Sequence, residues 1–237
     1  MKKILYFLFF IIINIYPFTV HAELKGDIDN NGKIGIEEAI YALRVVANLP
    51  TGEKPADDST ARKLKIFVTK VAHVGDFEND PLLPGANAIE KADSFCNQDL
   101  NKPDSNIYKA LLVDDATRSA VNNTNWVLLA NTTYYRPSGL EIGTTTGAAI
   151  FPSLYQDLTN SFDDVPSNID DLSNLAWTGI TDSSNFSSNG KNCYNWSSAS
   201  SGVAGVGALG LKDGNAFFFF YMSCSSPKLK LICVEQQ

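Results

Sequence analysis

Apolar and polar residues alternate in three different ways along the 237-residue chain. Residues 4–20 form an almost unbroken apolar run. Residues 36–48 carry apolar side chains at steps of three and four, which predicts an amphipathic helix that ends before Pro50. From residue 64 onward, the apolar segments are short and are separated by long connections rich in Asn, Ser, Thr and Gly. That pattern is typical of short strands joined by loops.

The C-terminal part is predicted to be one α+β domain over residues 64–237. Short strands are predicted at residues 64–69, 108–113, 125–129 and 175–179. One helix is predicted at residues 87–100, with an apolar side made of Ala88, Ala92, Phe95 and Cys96. The two last apolar runs, residues 216–221 and 229–234, are predicted to pair with each other as a terminal β-hairpin.

Two unusual segments near the C terminus are interpreted as structural. The glycine-rich residues 202–210 lack the Lys-Ser/Thr of a phosphate-binding loop and are interpreted as a flexible connection. The aromatic residues 217–221 could form an exposed platform that stacks on sugars. A strand buried on both faces is the preferred interpretation, because an exposed run of this kind would aggregate. The three tryptophans are interpreted as core anchors.

The N terminus has the organisation of an export signal. Two lysines precede the apolar run, and Val20-His21-Ala22 supplies the small residues of a cleavage site. Residues 1–22 are therefore predicted to be a signal peptide, and the protein is expected to be secreted, outside the cell or in the periplasm or at the cell surface. An uncleaved membrane anchor is the alternative, which Asn14 and Pro17 within the run disfavour. After cleavage, no transmembrane anchor is expected.

The charge of the chain is acidic, with a formal value of −7. Loss of Lys2 and Lys3 with the signal would leave 17 of the 19 basic residues against 26 acidic ones, a formal charge of about −9. Nucleic acid and anionic membranes are poor partners for such a protein.

Only one histidine, His73, follows the signal, which excludes a multi-histidine metal site. We expect a structural role for His73. Four aspartates are interpreted as part of a solvated loop rather than as a cation site or a catalytic carboxylate pair: Asp163, Asp164, Asp170 and Asp171.

Residues 27–38 have the ligand spacing of a calcium-binding EF-hand loop. The oxygen donors at loop positions one, three, five, seven and twelve are Asp27, Asp29, Asn31, the backbone carbonyl of Lys33, and Glu38. Gly32 allows the sharp turn that the loop requires. An acidic surface turn is the alternative, since Asp, Asn and Gly are common turn formers. We expect Ca²⁺ to be the cofactor, with a dissociation constant of roughly 10⁻⁵ to 10⁻³ M, as suits a lone extracellular loop.

Residues 26–34, followed by a single helix, resemble one repeat of a dockerin, the calcium-dependent docking module of secreted bacterial enzymes. Residues 23–49 are therefore predicted to be an EF-hand/dockerin-like loop-helix module, and residues 50–63 a solvated linker. The resemblance implies a docking role, with a cohesin-like partner. Dockerins carry two repeats and this chain shows one, so the helix must bury its apolar face on the C-terminal domain, on a second copy or on a partner.

Four cysteines follow the signal: Cys96, Cys193, Cys224 and Cys233. An even count in an exported chain predicts two disulfides, and the sequence alone allows three pairings.

Six segments, taken in their order along the chain, resemble the C-type-lectin-like superfamily, most closely its endostatin-like branch and an uncharacterised family of secreted bacterial domains. They are residues 66–69, 92–97, 108–112, 176–179, 193–197 and 224–235. The resemblance implies a C-type-lectin-like fold with the disulfides Cys96–Cys233 and Cys193–Cys224. It also implies binding through long loops, and many members of the superfamily bind proteins.

The calcium-dependent sugar site of such lectins is not expected in this domain. That site uses a Glu-Pro-Asn or Gln-Pro-Asp loop and a Trp-Asn-Asp strand. Here Arg136-Pro137-Ser138 has no carboxylate or amide before its proline, and Val, Thr and Ser follow Trp126, Trp177 and Trp196.

The sequence thus predicts a secreted, calcium-binding, disulfide-stabilised recognition or adhesion protein that binds an extracellular protein or glycan. The alternative is a dockerin-like component of an extracellular polysaccharide-degrading or surface scaffold assembly. An enzyme is the third class considered, since formylglycine-generating enzymes share the broad fold class and use a reactive cysteine. Because every cysteine has a disulfide role and no acid–base constellation stands out, we expect a protein that is not an enzyme.

Overall fold

The computed structural model describes residues 63–152, 158–165, 171–225 and 228–237, together with residues 35, 39, 40, 42, 43 and 46. The chain divides into two compact units, Met1–Ala61 and Arg62–Gln237. In the N-terminal unit, the described residues from position 39 to position 46 are helical, as predicted, and Ile40, Leu43 and Val46 of the apolar stripe are exposed. Within the described residues, no helix has the length and apolar character needed to cross a bilayer.

The C-terminal unit is a mixed α+β domain whose core is built mainly on a sheet. In chain order, its regular elements in the described residues are β1 (Leu64–Val68), α1 (Ala88–Gln98), β2 (Tyr108–Ala110), β3 (Thr133–Tyr135), β4 (Glu141–Thr144), β5 (Leu175–Trp177), β6 (Val203–Ala208), β7 (Phe220–Ser223) and β8 (Lys230–Glu235). Short 3₁₀ turns lie at Leu172–Asn174 and Gly214–Ala216.

The last strand, β8, lies at the centre of the sheet. The strand order is β4-β3-β1-β8-β5-β6-β7, and β2 also pairs with β8. β1 runs antiparallel to β8 with Ile66 opposite Val234, whereas β5 runs parallel to it with Trp177 opposite Leu231. The first and last strands of the domain are therefore neighbours, and both ends of the domain are held in its core.

Both faces of the central strands are buried. Because side chains alternate along a strand, Leu64, Ile66 and Val68 of β1 point into one apolar cluster, and Phe67 points into the other. The second cluster is covered by α1, through buried residues that include Ile89, Ala92 and Cys96. The first cluster is covered by strand β3, which supplies Tyr134, and by irregular segments that supply large aromatic side chains: Trp126, Phe151, Phe162, Phe186 and Phe217.

Helix α1 begins with a reciprocal cap. The side-chain oxygen of Asn87 accepts a hydrogen bond from Glu90 N at 3.0 Å, and Glu90 Oε2 accepts one from Ala86 N at 2.8 Å. The first bond satisfies a backbone donor that the first turn of a helix leaves free, and the second holds the chain just before the helix. The predicted helix is confirmed to within a residue or two at each end.

The predicted terminal hairpin is wrong. β7 pairs antiparallel with β6, with Val206 opposite Phe220, and β8 lies between β1 and β5. The side chains of β8 are apolar on both faces, so this strand is most stable at the buried centre of the sheet. β7 is partly exposed and forms the edge of the sheet. The predicted flexible connection at residues 202–210 is also wrong, because most of this segment forms strand β6.

Two further strand predictions also fail. Residues 125–129 are irregular although Trp126, Val127 and Leu128 are buried. Asn123 and Asn125 before them have positive φ, which interrupts an extended strand. The aromatic run is not one buried strand either: Phe217 is buried, the strand begins at Phe220, and Tyr221 is half exposed. The tryptophan prediction is confirmed, since all three are buried and each indole N–H donates to a backbone carbonyl.

The glycines of β6 allow close backbone approach. A Cβ on Gly205 would lie 1.9 Å from the carbonyl oxygen of Ile180, and one on Gly207 would lie 2.1 Å from that of Ala216. Both neighbours are backbone atoms, which cannot rotate away. Glycine is therefore required at these two positions because the backbone at Ile180 and at Ala216 packs directly against β6.

We expect Gly205→Ala to lower the free energy of unfolding by about 1–3 kcal/mol, because the added methyl group forces the backbone at Ile180 to move. Gly147→Ala is the matched control: neither glycine has a positive φ, and the nearest atom to a Cβ at Gly147 is 3.9 Å away. The control is expected to stay within about 0.5 kcal/mol of the wild type. Urea unfolding measures both, and equal losses would contradict the close packing of β6.

Candidate functional site

Residues 193–196 form one turn of left-handed helix. The φ angles of Cys193, Tyr194, Asn195 and Trp196 are 53°, 54°, 57° and 60°. Trp196 N donates to Asn192 O at 2.7 Å, and Ser197 N donates to Cys193 O at 3.1 Å, which closes the turn. This conformation costs residues other than glycine roughly 1–2 kcal/mol each. We call this segment the left-handed turn.

Three side chains hold the left-handed turn in place. Cys193 is bonded to Cys224. Trp196 is fully buried, and its indole N–H donates to Val113 O at 3.1 Å. Asn192 is buried, accepts from Asn195 N at 3.0 Å, and donates to Asp114 O at 3.1 Å. Strained backbone persists only where its surroundings impose it, and such places are often binding or catalytic sites.

The left-handed turn directs one large side chain outward. Tyr194 is 65% exposed between the buried Cys193 and the nearby buried Trp196. Its ring lies against Gly202, where an added Cβ would be 2.9 Å from Tyr194 Cε2. The ring borders a cavity of about 400 Å³ whose other lining residues are Gly190, Lys191, Gly202 and Val203. We call this cavity the Tyr194 cleft.

The segment that leads into the cleft is anchored by Asp115. Its Oδ2 accepts hydrogen bonds from Ser188 N at 2.9 Å, Ser188 Oγ at 2.7 Å and Asn189 N at 3.1 Å. Lys191 N then donates to Ser188 O at 2.8 Å, and Lys191 O accepts from Gly205 N in β6 at 3.2 Å. The backbone on the Lys191 side of the cleft is thus fixed before any ligand arrives.

We expect Tyr194→Gly to be more stable than Tyr194→Ala by about 0.5–1 kcal/mol, because only glycine adopts this φ without a steric cost. Both variants lack the ring, so their difference reports the backbone. Ser94, inside helix α1, is the control position, where alanine should be the more stable of the two by a similar amount. Urea unfolding of the four variants decides the matter. Alanine ahead of glycine at both positions would mean that the turn is unstrained.

A second concavity, about 230 Å³ in volume, lies beside α1. Its apolar residues are Val71, Leu82, Leu83, Phe95 and Leu100, and its acidic residues are Asp80 and Asp99. Both carboxylates are already used: Asp99 accepts from the backbone N–H groups of Lys70, Val71 and Asn101, and Asp80 accepts from Leu82 N and lies 2.9 Å from His73 Nε2. This surface therefore offers no free carboxylate to orient a ligand, and we take the Tyr194 cleft as the candidate site.

His73 has the structural role predicted for it. Its ring stacks on Phe77 at 4.3 Å, and its hydrogen bond to Asp80 holds the pKa of that carboxyl below its usual value. A depressed pKa means that Asp80 contributes stability above the unfolded-state value of 3.8, and that this contribution is lost as the pH falls through the folded-state value.

The sequence-predicted site residues have different outcomes. All five calcium ligands lie outside the described residues: Asp27, Asp29, Asn31, Lys33 and Glu38. Both disulfides implied by the resemblance are present, Cys96–Cys233 and Cys193–Cys224, and no cysteine is free. All four cysteines of the chain are therefore disulfide-bonded in the structure.

The acidic side chains of the C-terminal unit form no metal centre in the described residues, where no group of three or more His, Cys, Asp or Glu could hold an ion. Asp163 lies 3.7 Å from Lys230, and Asp164 pairs with Arg136 while staying exposed. Asp171 caps a 3₁₀ turn. Asp170 lies outside the described residues.

Sequence reasoning missed the candidate site itself. The sequence pattern places Tyr194 only within the lectin-like segment 193–197, and it gives Lys191 no role. The available signal is a lone lysine and a tyrosine beside a disulfide cysteine, in residues 187–195, which otherwise consist of Ser, Asn and Gly. Such a pair is typical of a polar surface site with one aromatic contact.

The fold and the cleft define a disulfide-stabilised α+β domain with a preformed surface site. The chain belongs to the family described as "Protein of unknown function (DUF1554)", which matches residues 84–213, more than half of its 237 residues. The matched range includes α1, the left-handed turn and β6. No curated protein matches the chain.

Proposed function

We propose that this is a secreted recognition protein that binds a glycan in the Tyr194 cleft. The observation that carries the proposal is the exposed Tyr194 ring, held outward by a strained, disulfide-bonded turn. An exposed aromatic ring offers an apolar face on which the C–H groups of a sugar can stack. The cavity volume of about 400 Å³ falls within the range of small-ligand sites.

The proposal assigns the domain to the C-type-lectin-like class, in its endostatin-like branch. Two features support this assignment. The first and last strands of the domain are paired, and both cysteine pairs are those that the resemblance implies. Because the calcium-dependent sugar motifs are missing from the sequence, recognition by this domain is proposed to be independent of calcium.

A glycan array probed with the signal-free protein tests this function. The wild type is expected to bind one group of glycans, and Tyr194→Ala is expected to lose that binding. Tyr221→Ala is the matched control, since Tyr221 is also an exposed tyrosine but does not line the cleft. Near-ultraviolet circular dichroism confirms folding. Binding that survives in Tyr194→Ala, or a wild type that binds no glycan, would refute the function.

Gly202→Ala provides a second test, because the added methyl group must displace the Tyr194 ring. Gly139→Ala is its control, since the φ angles are +88° and +87° and no atom lies within 4 Å of a Cβ at Gly139. The backbone cost is therefore equal in the two variants. We expect only Gly202→Ala to weaken glycan binding.

We propose in addition that residues 27–38 bind Ca²⁺ structurally, by neutralising Asp27, Asp29 and Glu38 at the start of the helix. The ligand spacing supports this role. Calorimetry should show calcium binding by the wild type and by the linker control Asp58→Ala, and none by Asp27→Ala. Docking to a cohesin-like partner stays a prediction that depends on this site.

A further inference from the structure

Among the described residues that line the Tyr194 cleft, Lys191 is the one with a basic side chain. It is exposed, and in the described part of the chain its ammonium group makes no ion pair and no hydrogen bond. The protein as a whole carries a formal charge of −7. An unpaired ammonium group in this cleft attracts a negative charge, so it favours a ligand with an anionic group at that position over a neutral ligand, although the protein as a whole is acidic.

The backbone fixes the positions from which the Lys191 and Tyr194 side chains extend into the cleft. Lys191 and Tyr194 are three residues apart, and the left-handed turn begins directly after Asn192. The backbone on each side is tied down, by Asp115 before Lys191 and by the Cys193–Cys224 bond after it. A ligand that contacts both side chains must therefore present an apolar ring face and a negative charge close to each other.

The kind of anion follows from the type and number of cations. Among the described residues that line it, the cleft has a single ammonium group and no guanidinium, so it offers one point charge rather than a pair of parallel donors. Densely sulfated or phosphorylated chains carry more than one negative charge per sugar residue, so the acidic protein repels them more strongly than a chain with one carboxylate per residue. One carboxylate on a sugar ring satisfies both requirements.

We infer that the cleft binds an acidic sugar, a hexuronic or ulosonic acid residue, with its ring face on Tyr194 and its carboxylate at Lys191. This inference rests on the proposed glycan-binding function and names its ligand class. The carboxylate accepts a hydrogen bond from Lys191 Nζ, while the C–H face of the sugar contacts the aromatic ring. Lys191 is thus the residue that sets the preference for acidic over neutral sugars.

Calorimetry with ligand pairs, each made of an acidic member and a neutral member, tests the inference on the signal-free protein in the presence of a chelator. The pairs are tetragalacturonate with its methyl ester, and sialyllactose with lactose. Within at least one pair, the acidic member should bind more tightly by at least about tenfold, the value of one charged hydrogen bond. Its affinity should fall as sodium chloride is added, because salt screens the exposed charge.

Lys191→Gln should abolish the preference for the acidic member and leave the affinity for its neutral counterpart unchanged. Lys70→Gln, which removes an exposed lysine outside the cleft, should keep the preference. Equal affinity of the wild type for both members of each pair, or a preference that survives Lys191→Gln, would overturn the inference while leaving a glycan site at Tyr194. Failure of every array glycan and both pairs would instead refute the proposed function and the inference with it.

Discussion

Replacement of both Cys96 and Cys233 by alanine is expected to lower the free energy of unfolding by about 5 kcal/mol. This bond joins residues 137 positions apart, and it links α1 to the central strand β8. Without it, the unfolded chain gains the conformational freedom of nearly the whole domain. Both cysteines are fully buried, and alanine leaves only a small space at each position.

The Cys193→Ala/Cys224→Ala variant is the matched comparison. This bond spans 31 positions, so the loop-entropy model gives a loss of about 4 kcal/mol. Opening it also lets the left-handed turn relax, which offsets part of that loss. Urea unfolding without reductant should therefore show the smaller effect for this pair. A larger loss than that of the Cys96/Cys233 variant would contradict both the strain at the turn and the role of the longer bridge.

Arg118→Met is expected to cost about 3–5 kcal/mol, the usual effect of leaving one member of a buried ion pair alone. The Arg118 side chain has no exposed surface, and its two terminal nitrogens donate to the two carboxylate oxygens of Asp93 at 2.8 and 2.7 Å. It also donates to Ala110 O at 2.7 Å and to Asn125 O at 3.0 Å. The guanidinium thus joins α1, β2 and the irregular segment before Trp126.

Two further variants separate charge burial from loss of volume. Asp93→Asn combined with Arg118→Met should be more stable than Arg118→Met alone, because no unpaired carboxylate remains buried. Lys65→Met breaks the more exposed pair with Asp104, which also has a 2.7 Å contact, and should cost no more than about 1 kcal/mol. Equal losses in Lys65→Met and Arg118→Met would show that burial of the Arg118 pair does not matter.

The elements that the sequence predicts well are those with local signals. Helix α1 has a cap at Asn87 and Glu90 and an apolar face at helical spacing, and β1 is a short apolar run with clear boundaries. Strand pairing is a different matter. An apolar run such as residues 229–234 predicts burial, but it does not show which strands will pair with it. In the structure, β8 pairs with β1, which is more than 160 positions away in the sequence.

The disulfide pairing and the candidate site could not be derived from the residues alone. Sequence reasoning allowed three cysteine pairings, and the resemblance supplied the two that the structure contains. The left-handed turn has no glycine to announce it. Asparagine tolerates positive φ, and five of the positive-φ residues in the described chain are asparagines: Asn123, Asn125, Asn131, Asn189 and Asn195. Only Asn195 lies in the turn, so asparagine content does not predict it. The turn that exposes Tyr194 is held in place by the Cys193–Cys224 disulfide and by the buried Trp196.

NMR shift mapping of the ¹⁵N-labelled, signal-free protein tests ligand recognition in the Tyr194 cleft most directly. The titrant is whichever of tetragalacturonate and sialyllactose binds more tightly in calorimetry. We expect the largest amide shifts at the five residues that line the cleft: Gly190, Lys191, Tyr194, Gly202 and Val203. Shifts centred on Leu82, Phe95 and Leu100 at the second concavity, or no shifts at all, would contradict the account.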